Sequence, residues 1–160
     1  MFKEVYITES KIDDIFSNRY GDISHGEVFN KNCIELLVEL GEFINETKCF
    51  KYWSVKKPNK ELLLDELADV LKMTMTFLHV INKEIKEYEV EEIKCDLMTL
   101  INNTYVMATE IMNNISEELI DNIFKNLLGI AYKLELNKKE IIDAIIKKQQ
   151  VVCDRLNSDY

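Results

Sequence analysis

Proline occurs once in this chain, at Pro58, and glycine only four times in 160 residues. So few turn formers leave little means of reversing direction in tight hairpins. Leu, Ile, Lys and Glu dominate instead, and these are residues that favour long helices joined by a few loops. The expected fold is all-α, a bundle of about six helices. At this length one domain, residues 1–160, can bury a sizeable core.

Apolar periodicity predicts helices at roughly 8–19, 27–48, 60–86, 90–114, 116–134 and 138–156. The stretch from Phe50 to Asn59 breaks the period and contains Pro58, so it reads as a loop. Lys83 to Glu92 is dense in charge and reads as a bend or helix junction. There is no linker, low-complexity tract or repeat.

Net charge is −9 and the isoelectric point about 4.8. That balance argues against a diffuse basic surface for nucleic acid. It leaves a nucleoside triphosphate open as a ligand, because bound metal ions reverse the local sign. No apolar run reaches the ~18 residues of a membrane span, and MFKEVYITES lacks the apolar core of a signal peptide. Cys33, Cys49, Cys95 and Cys153 are widely spaced and form no C-x-x-C pair, which predicts free thiols in a reducing cytoplasm. The sequons at Asn45, Asn102 and Asn114 then have no glycosylation to receive.

Two acidic pairs carry the chemistry. Glu39 and Glu42 lie in ELLVELGEFINE, and Glu66 and Asp69 lie in LLLDELADVLKM. Each pair has i,i+3 spacing and so occupies one helix face. Glu35, Glu39, Glu42 and Glu46 fall within an arc of roughly 60°, beside the apolar stripe of Cys33, Leu36, Leu40 and Phe43. Asp65, Glu66 and Asp69 cluster in the same way next to Leu63, Leu67, Val70 and Leu71. An acidic stripe is most often a solvated face. Such faces normally interleave Lys or Arg, because like charges one turn apart repel. No basic residue stands between Lys31 and Lys48. A divalent cation, Mg²⁺ or Mn²⁺ in its place, would relieve that repulsion, since Mg²⁺ favours carboxylates together with waters and phosphates.

Directly after the first acidic helix comes TKCFKYWS, which holds the only tryptophan, Trp53, close to Lys51 and Lys56. An aromatic beside cations can stack a base while the cations meet phosphate. Taken alone, it reads more readily as a core Trp at a helix end with solvated lysines, and its position next to the acidic helix shifts the balance. His25 and His79 have no serine nucleophile motif near them and read as structural or surface groups.

The run ELLVELGEFINETKCFKYWS, followed by ELLLDELADVLKM, resembles the dimeric all-α dUTPases, a branch of the all-α NTP pyrophosphatase superfamily that includes the MazG-like proteins. The resemblance implies a helical bundle that forms a homodimer. The implied reaction is Mg²⁺-dependent hydrolysis of dUTP to dUMP and pyrophosphate. It assigns Glu39, Glu42, Glu66 and Asp69 as metal ligands, with Glu42 or Glu46 orienting or deprotonating the attacking water. Trp53 would border the nucleoside, with Lys51 and Lys56 near phosphate or the pocket mouth. In the last helix, Lys148 and Arg155 match a phosphate-binding Lys and Arg, and the final Tyr160 matches an aromatic that closes over the site.

Four departures from the family pattern stand out. Glu9 falls where a glutamine is usual, Lys72 where many members have histidine, Val152 where an asparagine is usual and Asp159 where a glycine precedes the last aromatic. They bear on base selection rather than on metal chemistry. Two other readings therefore stay open: a MazG-like pyrophosphohydrolase of other or modified nucleotides, and a regulator that keeps the fold without activity.

Overall fold

The computed structural model describes residues 1–157. Among them it has six helices and no strand: α1 (Phe2–Arg19), α2 (His25–Thr47), α3 (Lys60–Val80), α4 (Leu97–Asn114), α5 (Glu117–Lys133) and α6 (Lys138–Asn157). The all-α expectation holds.

Local chemistry sets the helix starts. The side chains of Ser24, Asn59, Asp96 and Ser116 accept backbone N–H bonds at the first turns of α2, α3, α4 and α5. Each satisfies donors that a helix start leaves open. The stops use left-handed backbone. Lys48 ends α2 at φ 56°, and Asn82 and Glu135 adopt φ 54° and 58° just beyond α3 and α5.

Helix α3 is the centre of the bundle, touching α1, α2, α5 and α6. Leu67, Ala68, Val70, Leu71, Met75 and Phe77 are completely buried, so α3 is apolar on almost every side over its middle. Helix α2 lies along it, joined by the loop that carries Trp53 and Pro58. Helices α4 and α5 form an antiparallel pair at the other end of the core. Helices α1 and α6 close the remaining side of α3.

Two boundaries differ from expectation. Helix α1 begins at Phe2, not near residue 8, and residues 81–96 are non-helical where helices were expected to run to 86 and resume at 90. The two corrections share one cause. Glu87 accepts from the backbone N–H of Phe2 at 3.2 Å and of Lys3 at 3.4 Å, capping α1 from a segment far along the chain. Tyr88 stacks on Phe124 with centroids 4.7 Å apart, and Phe2 meets both rings edge-on. The Tyr88 hydroxyl donates to buried Asp121 at 2.5 Å. These contacts outweigh the helix propensity of a Lys/Glu-rich run.

Candidate metal and nucleotide site

Helices α2 and α3 bring Glu39, Glu42 and Glu66 together. Each offers a carboxylate oxygen, and the three atoms lie within 4.8 Å of one another. A hard cation with oxygen ligands fits that spacing. Burial is the main cause that pushes the Glu39 carboxyl up to about 7, and the charges of Asp69, Glu42, Glu35 and Glu66 push the same way. Glu66 is also raised, first by burial, with Lys148 opposing and Glu42, Asp69 and Asp65 adding to the rise. The cluster thus carries a like-charge repulsion that Lys148 offsets in part at Glu66 and that a dication would relieve further.

Asp69 stands beside this trio rather than within it. Lys148 on α6 donates to Asp69 Oδ2 at 2.5 Å and pairs with Asp65 Oδ2 at 2.8 Å. Lys72 lies 3.8 Å from Asp69 Oδ1. Burial works against the charged form of Lys148, but its bonds to Asp65 and Asp69 prevail and raise its pKa. Glu46 pairs with Lys48 at 3.1 Å and accepts from Asn45 Nδ2 at 3.4 Å.

A cavity of about 720 Å³ opens from Glu39 and Asp69 and runs between α1, α2 and α3, with Val152 of α6 at its wall. Phe16, Tyr20, Val28, Phe29 and Met73 give it apolar sides. All three helices also give it polar groups. Glu9 is only 5% exposed, and accepts from Gln149 Nε2 at 2.8 Å with Lys72 at 4.0 Å. Asp13 Oδ1 accepts from the Thr76 hydroxyl at 3.1 Å, while its Oδ2 is buried without a partner. Burial, then the charge of Glu9, lifts Asp13 to about 7 against the influence of Thr76, His79 and Lys72. His79 also lines the cavity and pairs with Asp14 at 2.9 Å. Burial raises Glu35 as well, with Lys72 opposing and Asp69 adding to the rise.

The three departures Glu9, Lys72 and Val152 all line this one cavity. Asp13 and Thr76 were not legible as site residues. The available signal was an acid set into the apolar stripe Phe2, Val5, Glu9, Ile12, with Asp13 one turn beyond Glu9. It is visible only if α1 is read from residue 2.

The remaining predicted residues lie elsewhere. Trp53 is 66% exposed on the α2–α3 loop, edge-on to Phe50 and Tyr52, so it is not a core residue. Lys51 donates to Asn45 Oδ1 at 2.6 Å and lies over the Phe50 ring. Lys56 is exposed on the same loop, and none of the three lines the cavity. Arg155 is on the exposed side of α6, two turns from Lys148. Tyr160 and Asp159 lie outside the described residues.

No curated protein sequence matches the chain. A family model described as dUTPase matches residues 3–160, almost the whole chain, and its all-α architecture is the one found here. With the acid pairs on α2 and α3 and the bundle built around them, the chain belongs to the dimeric all-α dUTPase family.

Proposed function

We infer that the chain is a dUTP diphosphatase, one domain spanning residues 1–160, which cleaves dUTP to dUMP and pyrophosphate. Membership makes it a hydrolase acting on nucleotides, from a family that generally uses Mg²⁺. The observation that carries the finer reading is the convergence of Glu39, Glu42 and Glu66, of which Glu39 also lines a cavity of about 720 Å³.

Glu39, Glu42 and Glu66 would hold the ion, with Asp69 as the fourth carboxylate. Once bound, Mg²⁺, or Mn²⁺ in its place, neutralises phosphate charge and acidifies water. The residues of the chain do the rest. Glu42, exposed within the trio, or Glu46, one turn further along α2, accepts the proton of the attacking water. Lys148 and Arg155 on α6 hold the phosphate chain. The cavity takes the nucleoside, where the unpartnered Asp13 Oδ2 offers a hydrogen-bonding atom to the base edge. Trp53, Lys51 and Lys56 would meet the nucleotide from the α2–α3 loop, outside the cavity lining, and the resemblance gives Tyr160 a closing role.

The exposed apolar side chains Ile34 and Val38 on α2, with Met98, Val106 and Met112 on α4, support a homodimer in which a second copy covers adjacent helices. Light scattering at twice 18.8 kDa is the expected result, and a monomer mass refutes it. Among the described residues no helix is long and apolar enough to cross a membrane. The reading places the enzyme in the cytoplasm, with no nucleic acid partner.

Pyrophosphate release with Mg²⁺ from dUTP, dTTP, dCTP, UTP and dATP tests the function. Strong preference for dUTP is expected. Broad turnover favours the MazG-like reading, which the position of Glu9, Lys72 and Val152 in the cavity wall supports. No turnover with either Mg²⁺ or Mn²⁺ refutes the hydrolase reading of this site and favours a regulator.

A further inference from the structure

Lys72 lies between two carboxylates at 3.8 and 4.0 Å, but Lys148 holds two within 3 Å. Its ammonium lies 2.5 Å from Asp69 and 2.8 Å from Asp65, and the side chain is only 23% exposed. The second oxygen of Asp69 faces Lys72 at 3.8 Å. Both oxygens of the one acid that stands outside the trio are therefore turned towards ammonium groups.

A hard dication takes carboxylate oxygens at about 2.0–2.1 Å. Such an ion and Lys148 compete for Asp69 Oδ2, because two like charges would face each other across one oxygen. The lysine stem is long and flexible, so the ammonium can leave without moving α6. It needs another anion when it leaves, since a partly buried cation stripped of its partners is costly. The phosphate chain of a bound nucleotide is such an anion.

We propose that Lys148 is an internal counter-cation that competes with the divalent ion for Asp69 and is drawn off by the phosphate chain of the nucleotide. The proposal rests on the metal and nucleotide reading given above. It makes Lys148 a positioning residue for the metal seat as well as a phosphate contact. It also means that ion and nucleotide strengthen each other's binding, and by linkage the effect is reciprocal.

Mn²⁺ binding to the full chain without nucleotide, followed by the paramagnetic resonance of the free ion, tests the competition. Lys148→Gln should bind Mn²⁺ about tenfold tighter than the unsubstituted chain. Lys148→Arg, which keeps the charge, and Lys147→Gln, which removes a neighbouring charge on the exposed side, should both stay close to it. Equal affinity in Lys148→Gln and the unsubstituted chain overturns the proposal. So does an equal gain in Lys147→Gln, which would reveal only a general charge effect. Lys148→Met serves in the same role if the Gln variant loses its helical circular dichroism. At saturating Mn²⁺, Lys148→Gln should bind α,β-imido-dUTP about tenfold more weakly, and unchanged affinity overturns the phosphate half. Glu39→Gln separates the two levels of the argument. If it leaves Mn²⁺ binding intact, the metal seat itself is refuted. If it abolishes binding while Lys148→Gln is neutral, only the competition fails.

Discussion

Asp13→Asn probes the cavity most directly, and its effect can be worked out from the surroundings of one carboxyl. Asp13 accepts from Thr76 through one oxygen and has no partner for the other. It titrates at about 7 in the folded protein, against an ordinary value of 3.8. Between those two values the folded state keeps a proton that the unfolded chain has released. Stability therefore falls as pH rises through that interval, and the full loss is in place above about pH 7. The difference corresponds to about 4 kcal/mol at most, at 1.36 kcal/mol per tenfold change in acidity. Residual access of water to the cavity reduces this to about 2–3 kcal/mol. Asparagine has the shape of the neutral acid and keeps the acceptor for Thr76. Asp13→Asn should therefore exceed the unsubstituted chain by only about 1 kcal/mol at pH 5, where the unfolded chain has already released its proton but most of the interval still lies ahead. At pH 8.5 it should be more stable by about 2–3 kcal/mol, or about 6–9 °C in Tm for a chain of this length. Urea denaturation followed by circular dichroism at both pH values measures the difference. Glu9, Lys72 and His79 act on position 13 and are present in both proteins, so their other effects largely cancel in the comparison. A gap between the two proteins that is the same at pH 5 and pH 8.5 refutes the assignment.

Glu39→Gln should abolish Mn²⁺ binding and turnover while raising stability at pH 8 by about 1 kcal/mol after allowance for solvent screening; the reason is that a carboxyl raised to about 7 loses stability as pH rises through that value, and a variant destabilised at pH 8 contradicts it. Trp53→Ala should leave Tm within about 1 °C, because the side chain is largely exposed, but raise KM for dUTP more than it lowers kcat; unchanged KM removes Trp53 from the nucleoside site. Glu87→Ala should cost about 1 kcal/mol by uncapping α1, and unchanged amide exchange at Phe2 and Lys3 would show that the cap contributes nothing.

Local signals made most of the bundle legible. The α2 and α3 starts follow from Ser24 and Asn59, and the acid pairs follow from i,i+3 spacing on helices with clear apolar stripes. The break at Lys83 to Glu92 was legible from its charge, but its full extent over residues 81–96 was not, because KEIKEYEVEEIK has good helix formers throughout. Their path is set by distant partners: Phe124 and Asp121 for Tyr88, and Gly129 for Ile93. A Cβ at Gly129 would lie 2.6 Å from Ile93 Cδ1, so glycine is what lets this segment lie against α5. Spacing also placed Asp69 with the metal trio, since helical register fixes which face a residue occupies. Register cannot report that a lysine 79 positions along the chain reaches the same oxygen. The cavity was hidden for a related reason, because Asp13 and Thr76 meet only when α1 packs on α3.

The division of the fold between its inner hairpin and its outer walls has a consequence for how such a chain can diversify. The three converging carboxylates belong to α2 and α3, joined by one loop. Two of the three cavity departures, Glu9 and Val152, sit on α1 and α6, and Lys72 is on α3 beyond the acids. On the proposed reading, α1 and α6 add wall residues to a cavity that the hairpin itself lines for the most part. New substrates can be explored by exchanging wall residues while the reactive hairpin is inherited intact. A library confined to α1, α6 and position 72 is the economical place to redirect this scaffold.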